Sequence, residues 1–267
     1  MDSEKEYYEE ESFWDGKDVS SKEVKRIVAT CKLIPKDVKS LVDIGCGNGI
    51  FVNYILKNKG DIKCLGIDRS ITALKYVMTS KTKGDITHIP LKDRSYDLSC
   101  ALEVIEHLDN EGFEKALDEL ARVSKKYVII SVPNNEILEN NFIRCPDCQS
   151  LFSASLHKRR FNQDKMKSLL MKFGFRPRKI IVIGEKTEYF FISPLFYYLN
   201  RFFLRKNPKY PYVFLICGHK NKNMLRLSKN LSKNKLVKPR RLMVKCLDIF
   251  WPKRTKYRWI LALYQRV

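Results

Sequence analysis

Three side chains with chemical capacity crowd into five positions, Glu103-Val-Ile-Glu106-His107. Two carboxylates and an imidazole could hold a divalent cation, magnesium or zinc, and so lower the pKa of an acceptor hydroxyl. The imidazole of His107 could instead serve as a general base, or be a satisfied structural histidine. If Val104–Leu108 forms one helical turn, the i, i+3, i+4 spacing sets all three side chains on one face. His157, in Leu156-His-Lys-Arg-Arg-Phe161, is a second candidate for a base or a fourth ligand. Cys145-Pro-Asp-Cys148 has knuckle spacing for zinc, yet a structural zinc needs four ligands and no second Cys-x-x-Cys exists. With His157 as a third ligand the pair is a zinc candidate; otherwise it is two thiols in a loop.

A second set of residues is suited to binding. Leu41-Val-Asp-Ile-Gly-Cys-Gly-Asn-Gly49 delivers Asp43 to the end of a short apolar run. Gly45, Gly47 and Gly49, with Cys46 between them, then let the backbone turn tightly, so that a ligand can lie against it at a helix N-terminus. Alone, this run could equally serve NAD. Further acids follow at regular intervals: Asp68-Arg69 after Leu-Gly-Ile, then Asp85-Ile86 after Gly84, then Glu103. Asp68 can accept both hydroxyls of a ribose, Asp85 can take an adenine amino group, and Ile86 can cover the ring.

The elements that must position these groups alternate. Ser20 or Ser21 can cap a helix carrying Val24, Ile27, Val28 and Cys31 on one face and ending before Pro35. Strands are expected at Leu41–Ile44, Lys63–Ile67, Asp85–Ile86, Tyr96–Leu102 and Tyr127–Val132. Helices are expected at Ile50–Asn58, Ile71–Met78 and Gly112–Val123 between them. Beyond an irregular stretch over 134–160, a helix over Gln163–Phe173 and strands over Lys179–Gly184 and Tyr212–Gly218 complete the pattern. Such alternation implies a mostly parallel, doubly wound α/β sheet.

The motif series Val-Asp-Ile-Gly-Cys-Gly-Asn-Gly, Gly-Ile-Asp, Gly-Asp-Ile and Tyr-Asp-Leu-Ser-Cys-Ala-Leu-Glu-Val-Ile-Glu-His resembles class I S-adenosylmethionine-dependent methyltransferases over roughly residues 20–185. It looks most like the branch of ubiquinone-biosynthesis O-methyltransferases and small-molecule and glycan enzymes. The resemblance implies a Rossmann-like seven-stranded sheet whose last strand is antiparallel, a place that Tyr212–Gly218 could take. It also implies S-adenosylmethionine as cofactor, with Asp43 and the glycines beside its methionine part, Asp68 on the ribose and Asp85 on the adenine. Related ubiquinone-pathway and small-RNA 2′-O-methyltransferases imply a metal at Glu103, Glu106 and His107.

Composition sets the remaining bounds. Hydrophobic residues make up 44% and aromatic ones 12% of the 267, which fits a folded chain and excludes a disordered one. The acidic N-terminus lacks the order of a signal peptide, no apolar run reaches the length of a membrane span, and most of the eight cysteines are scattered singly. The chain therefore reads as cytoplasmic. Of the net charge of +21, most sits from Arg201 onward, where 19 Lys/Arg face the single acid Asp248. That divides the chain into an acidic, aromatic segment (1–19), a methyltransferase domain (20–218) and a basic, aromatic C-terminal extension (219–267). The extension could touch an anionic membrane through Phe250, Trp251, Trp259, Lys253, Arg254, Lys256 and Arg258, or could bind nucleic acid, or could be a solvated face. The apolar-aromatic run Ile192–Leu204 favours the membrane. The expected acceptor is an oxygen of a small molecule, a lipid-linked intermediate or a glycan. RNA 2′-O-methylation and an inactive cofactor-binding scaffold are the alternatives.

Overall fold

The computed structural model of the chain describes residues 8–14, 20–144, 151–153, 155–189 and 253–267. Cys145, Cys148, Ile192–Leu204, Tyr212–Gly218, Phe250 and Trp251 lie outside the described residues. The chain divides into one unit built from Met1–Asn140, Leu156–Gly184 and Tyr257–Val267 and a second from Asn141–Ser155 and Glu185–Lys256. In the second, β6 (Phe142–Arg144) and β7 (Leu151–Ser153) pair antiparallel.

The first unit opens with a short helix, α1 (Glu11–Trp14), followed by α2 (Ser21–Leu33). Ser20 caps α2 as its composition requires: the Ser20 hydroxyl accepts the Glu23 N–H, and the Glu23 carboxylate accepts the Ser20 N–H. Then come β1 (Ser40–Ile44), α3 (Ile50–Asn58), β2 (Lys63–Asp68), α4 (Ile71–Leu74) and β3 (Ser80–Lys83). The second half runs β4 (Tyr96–Leu102), a 3₁₀ turn (Ile105–His107), α5 (Asn110–Val123), β5 (Ser124–Pro133), α6 (Gln163–Ser168), β8 (Phe175–Tyr189) and β9 (Lys253–Arg266). Seven strands form one sheet in the order β3-β2-β1-β4-β5-β9-β8. β1 to β5 pair in parallel, and β9 runs antiparallel to β5 from Tyr127↔Gln265 to Pro133↔Trp259.

The period of two along the strands builds a core on each face. Leu41, Leu98, Ile129, Leu261 and Leu263 point to α2 and α3, against Ile27, Phe51, Val52 and Ile55. Val42, Ile44, Ile130, Ile260 and Tyr264 point the other way, to Ala116, Leu117 and Leu120 of α5. Both faces are covered, which is why these strands read as unbroken apolar runs.

The Rossmann-like fold with an antiparallel last strand is as expected, but the residues that make that strand are not. β9 is built from the C-terminal end, so 253–267 belong to the sheet rather than to a basic extension. Trp259 and Arg258 are part-buried in β9. The third strand is Ser80–Lys83, just before Asp85–Ile86, and the helix after β2 stops at Leu74 instead of Met78. The helix from Gln163 gives way after Ser168, with a 3₁₀ turn over Met171–Phe173. Among the described residues no helix is long and apolar enough to cross a membrane.

Candidate functional site

Chain order reverses between β1 and β4, and a crevice at the carboxyl ends of the strands belongs at such a point. A cavity of about 190 Å³ lies there. Gly45 and Gly47 form one wall, Asp68 and Arg69 follow at the end of β2, and Gly84, Asp85 and Ile86 follow β3. Gly45 has φ +76, and a Cβ there would stand 2.5 Å from Val104 Cγ2, so backbone alone fits between the two loops.

Asp68 is the keystone of this wall. One carboxylate oxygen accepts the Gly47 N–H at 2.7 Å and the other the Ser70 N–H at 2.8 Å. The glycine loop is thus tied to the end of the neighbouring strand. Burial raises the Asp68 pKa, and the two backbone N–H groups pull it back. Asp43 sits deeper, at 2% exposure, and among the described residues its Oδ1 lacks a hydrogen-bond partner. Burial, with Asp68's charge adding and Arg26 opposing, pushes its carboxyl up to about 7. Cys46 is buried beside Gly66, and Gly49 caps α3 against Val77; both shape the loop from behind the cavity. Asp85 Oδ1 accepts the Thr87 N–H and hydroxyl, which fixes the turn after β3.

Sequence reasoning assigned no role to Tyr8 and Trp14, which also line the cavity. The Trp14 indole N–H donates to the Tyr8 carbonyl, and the Trp14 ring lies 3.0 Å from where a Gly47 Cβ would be. Glu9 accepts the Ile71 and Thr72 N–H groups at 3.1 Å each, so α4 anchors the segment. The signal was present as aromatic residues inside an otherwise acidic, polar stretch.

The Glu103–His107 segment is not one helical turn. Glu103 has φ +61, outside the helical region, and the 3₁₀ turn begins only at Ile105. Glu103 borders the cavity, but its carboxylate oxygens are held by the Ser131 hydroxyl (2.5 Å) and the Trp259 indole N–H (2.9 Å). Glu103 therefore leaves the predicted metal set, because its oxygens are engaged by β5 and β9. His157 takes its place. Ligating atoms of Glu106, His107 and His157 all lie within 4.8 Å of one another. The two imidazoles meet edge to face at 4.7 Å between centroids, and His157 Nε2 lies 4.0 Å from Glu106 Oε1. Glu106 is 0% exposed, and among the described residues both its oxygens, like His107 Nδ1, lack a hydrogen-bond partner. Burial and then the charge of Glu103 push the Glu106 carboxyl well above the ordinary range. Burial, with His157 and Arg69 adding, drives His107 down to about 3, so its ring is neutral.

Asp68→Ala would orphan two N–H groups that now share one carboxylate, each worth about 1.5–3 kcal/mol with a charged acceptor. We expect cofactor affinity to fall by at least about 100-fold by calorimetry, while Asp85→Asn costs less.

Residues 42–131 match the family model described as a methyltransferase domain. An uncharacterized protein of Methanocaldococcus jannaschii is 30% identical over 104 residues, 37% of this chain and 43% of that one. Norajmaline N-methyltransferase of Rauvolfia serpentina is 31% identical over 114 residues, 38% of this chain and 39% of that one. The chain thus spans about two fifths of the length of these curated relatives. The crystal structure of a SAM-dependent methyltransferase from Archaeoglobus fulgidus shares the fold, with a TM-score of 0.51, 20% identity, and coverage of 92% of this chain and 95% of that one. Over residues 42–131 the chain is thus similar to methyltransferase domains, and its fold is that of a SAM-dependent methyltransferase.

Proposed function

We propose that the protein binds S-adenosylmethionine in the β1–β4 crevice and transfers its methyl group to an oxygen of a small-molecule, lipid-linked or glycan acceptor. The charge of the crevice carries the cofactor half of this reading. Asp68 and Asp85 face Arg69 as the one Lys/Arg among the lining residues, with the buried Asp43 carboxyl behind them. A dinucleotide pyrophosphate would meet like charge there, whereas a sulfonium bearing an ammonium group meets its complement. The sulfonium supplies the electrophile, and the protein's part is to align a nucleophile and take its proton.

The acceptor end is Glu106, His107 and His157. A buried carboxylate without partners beside two imidazoles fits a divalent cation, and two nitrogen ligands favour zinc or another transition metal over magnesium. Such a cation would polarise an acceptor hydroxyl; without one, neutral His107 can accept its proton. N-methylation is the second reading, favoured by the kinship with norajmaline N-methyltransferase.

The test pairs calorimetry with transfer of a labelled methyl group to panels of hydroxyl and amine acceptors, each with and without chelator. The reading expects S-adenosylmethionine to bind, NAD to be refused, and chelator-sensitive label on hydroxyls. NAD binding in place of S-adenosylmethionine would overturn the cofactor assignment. Label confined to amines would transfer the function to the second reading.

A further inference from the structure

The segment Leu156–Phe161 is sewn alternately to two loops. His157 Nδ1 meets the Glu136 carboxylate in the loop after β5, while the Lys158 N–H donates to the Glu106 carbonyl at 2.8 Å. Arg159 donates to the carbonyls of Leu108 and Asp109 and to Asn110 Oδ1, all beyond the 3₁₀ turn. Arg160 returns to Glu139 in the β5 loop. The Asn135 N–H closes the run on the Phe161 carbonyl at 2.8 Å. The strap therefore fixes His157 against Glu106 through its backbone and against Glu136 through its ring.

An imidazole offers one lone pair when neutral, and the bond at one nitrogen decides which nitrogen keeps it. A carboxylate accepts only, so a neutral ring bonded to Glu136 must place its proton on Nδ1. Nε2 is then the lone-pair nitrogen, and it is the atom that lies 4.0 Å from Glu106 Oε1. We infer that Glu136 is a positioning residue: it locks His157 as the Nδ1–H form and so directs the Nε2 lone pair into the Glu106–His107 cluster. The inference rests on the acceptor-end reading for its purpose, but the tautomer itself does not. Glu136 lay unremarked in the irregular stretch because its effect passes through a residue 21 positions away.

The experiment uses the full chain with ¹⁵N-labelled histidine. The four histidines are few enough to assign by single substitution, and two-bond proton–nitrogen correlations read each tautomer directly. Wild type is expected to show His157 as Nδ1–H. Glu136→Gln should keep that form, since the amide carbonyl still accepts, whereas Glu136→Ala should release the ring towards Nε2–H. Cofactor affinity in both variants should stay within about threefold of wild type, which shows that they are folded. An Nε2–H ring in wild type, or an unchanged ring in Glu136→Ala, would overturn the inference. A zinc titration on the same samples separates it from the metal reading. If zinc binds wild type, Glu136→Ala should weaken it by about 10–100-fold, and undiminished affinity counts against the inference. If zinc does not bind at all, the metal reading falls, and the tautomer shift still supports Glu136.

Discussion

Removal of residues 253–267 is expected to unfold the protein rather than to strip a lipid- or RNA-binding tail from an intact core. β9 lies between β5 and β8, so its loss exposes the whole hydrogen-bonding edge of β5 and separates β8 from the sheet. Ile260, Leu261 and Tyr264 are fully buried and Leu263 is 4% exposed. Burial of four such side chains stabilises by on the order of 8 kcal/mol, which is comparable with the entire stability of a typical domain, about 5–15 kcal/mol. Polar fixings would go as well. The Tyr264 hydroxyl donates to the Met166 carbonyl at 2.6 Å, and Arg266 donates to the carbonyls of Ala121 and Ser124. The truncated chain should show no cooperative melting transition by circular dichroism and should be cut rapidly by protease. A melting temperature equal to that of the full chain would restore the tail as an appendage. Tyr264→Ala is the milder version, with an expected cost of about 3–5 kcal/mol.

The place of β9 in the sheet shows where the sequence was legible and where charge misled. Strands β1, β2, β4 and β5 announce themselves, because each is an apolar run that ends at a glycine, an acid or a proline. The glycine loop and the acids after it were equally readable, since their chemistry is local to strand ends. β9 carries the same mark, the run Trp-Ile-Leu-Ala-Leu-Tyr over 259–264, but it lies among cations that a charge census assigns to the surface. Arg266 shows why the census fails. Its guanidinium is spent on two backbone carbonyls and on the Phe175 ring, 4.4 Å away, so it does not await a polyanion. β3 was misplaced for the opposite reason: Ser-Lys-Thr-Lys at the sheet edge has no apolar pattern to find. The proposed acceptor site was half legible. Spacing singled out Glu106 and His107, but it could not foresee that Glu103 would take φ +61 and turn to Trp259, 156 positions on. His157, expected from the sequence as a second base or a fourth ligand, does lie beside Glu106 and His107.

Glu106→Ala and Glu106→Gln are expected to cut methyl transfer by at least about 100-fold, some 2.7 kcal/mol of barrier, while S-adenosylmethionine affinity is kept. The separation follows from position: Glu106 does not line the cofactor cavity, whereas His107 borders it. Stability should move the other way. A fully buried carboxylate whose oxygens have no hydrogen-bond partner among the described residues costs free energy in the folded chain, whether it is held ionised or forced to take up a proton. A side chain that needs no partner, as in Glu106→Ala, relieves that cost but leaves a cavity, so the gain should be small. Glu106→Gln keeps the volume without a charge and isolates the electrostatic part. A gain of 1 kcal/mol would raise the melting temperature by about 2–4 °C in a domain of this size. Such a trade of stability for activity is expected where a site holds charge ready for a ligand. Zinc in excess should then stabilise wild type by mass action and leave both variants unmoved. A Glu106→Gln protein that melts several degrees lower yet turns over at the wild-type rate would show Glu106 to be structural. The acceptor end would then have to be sought away from this cluster.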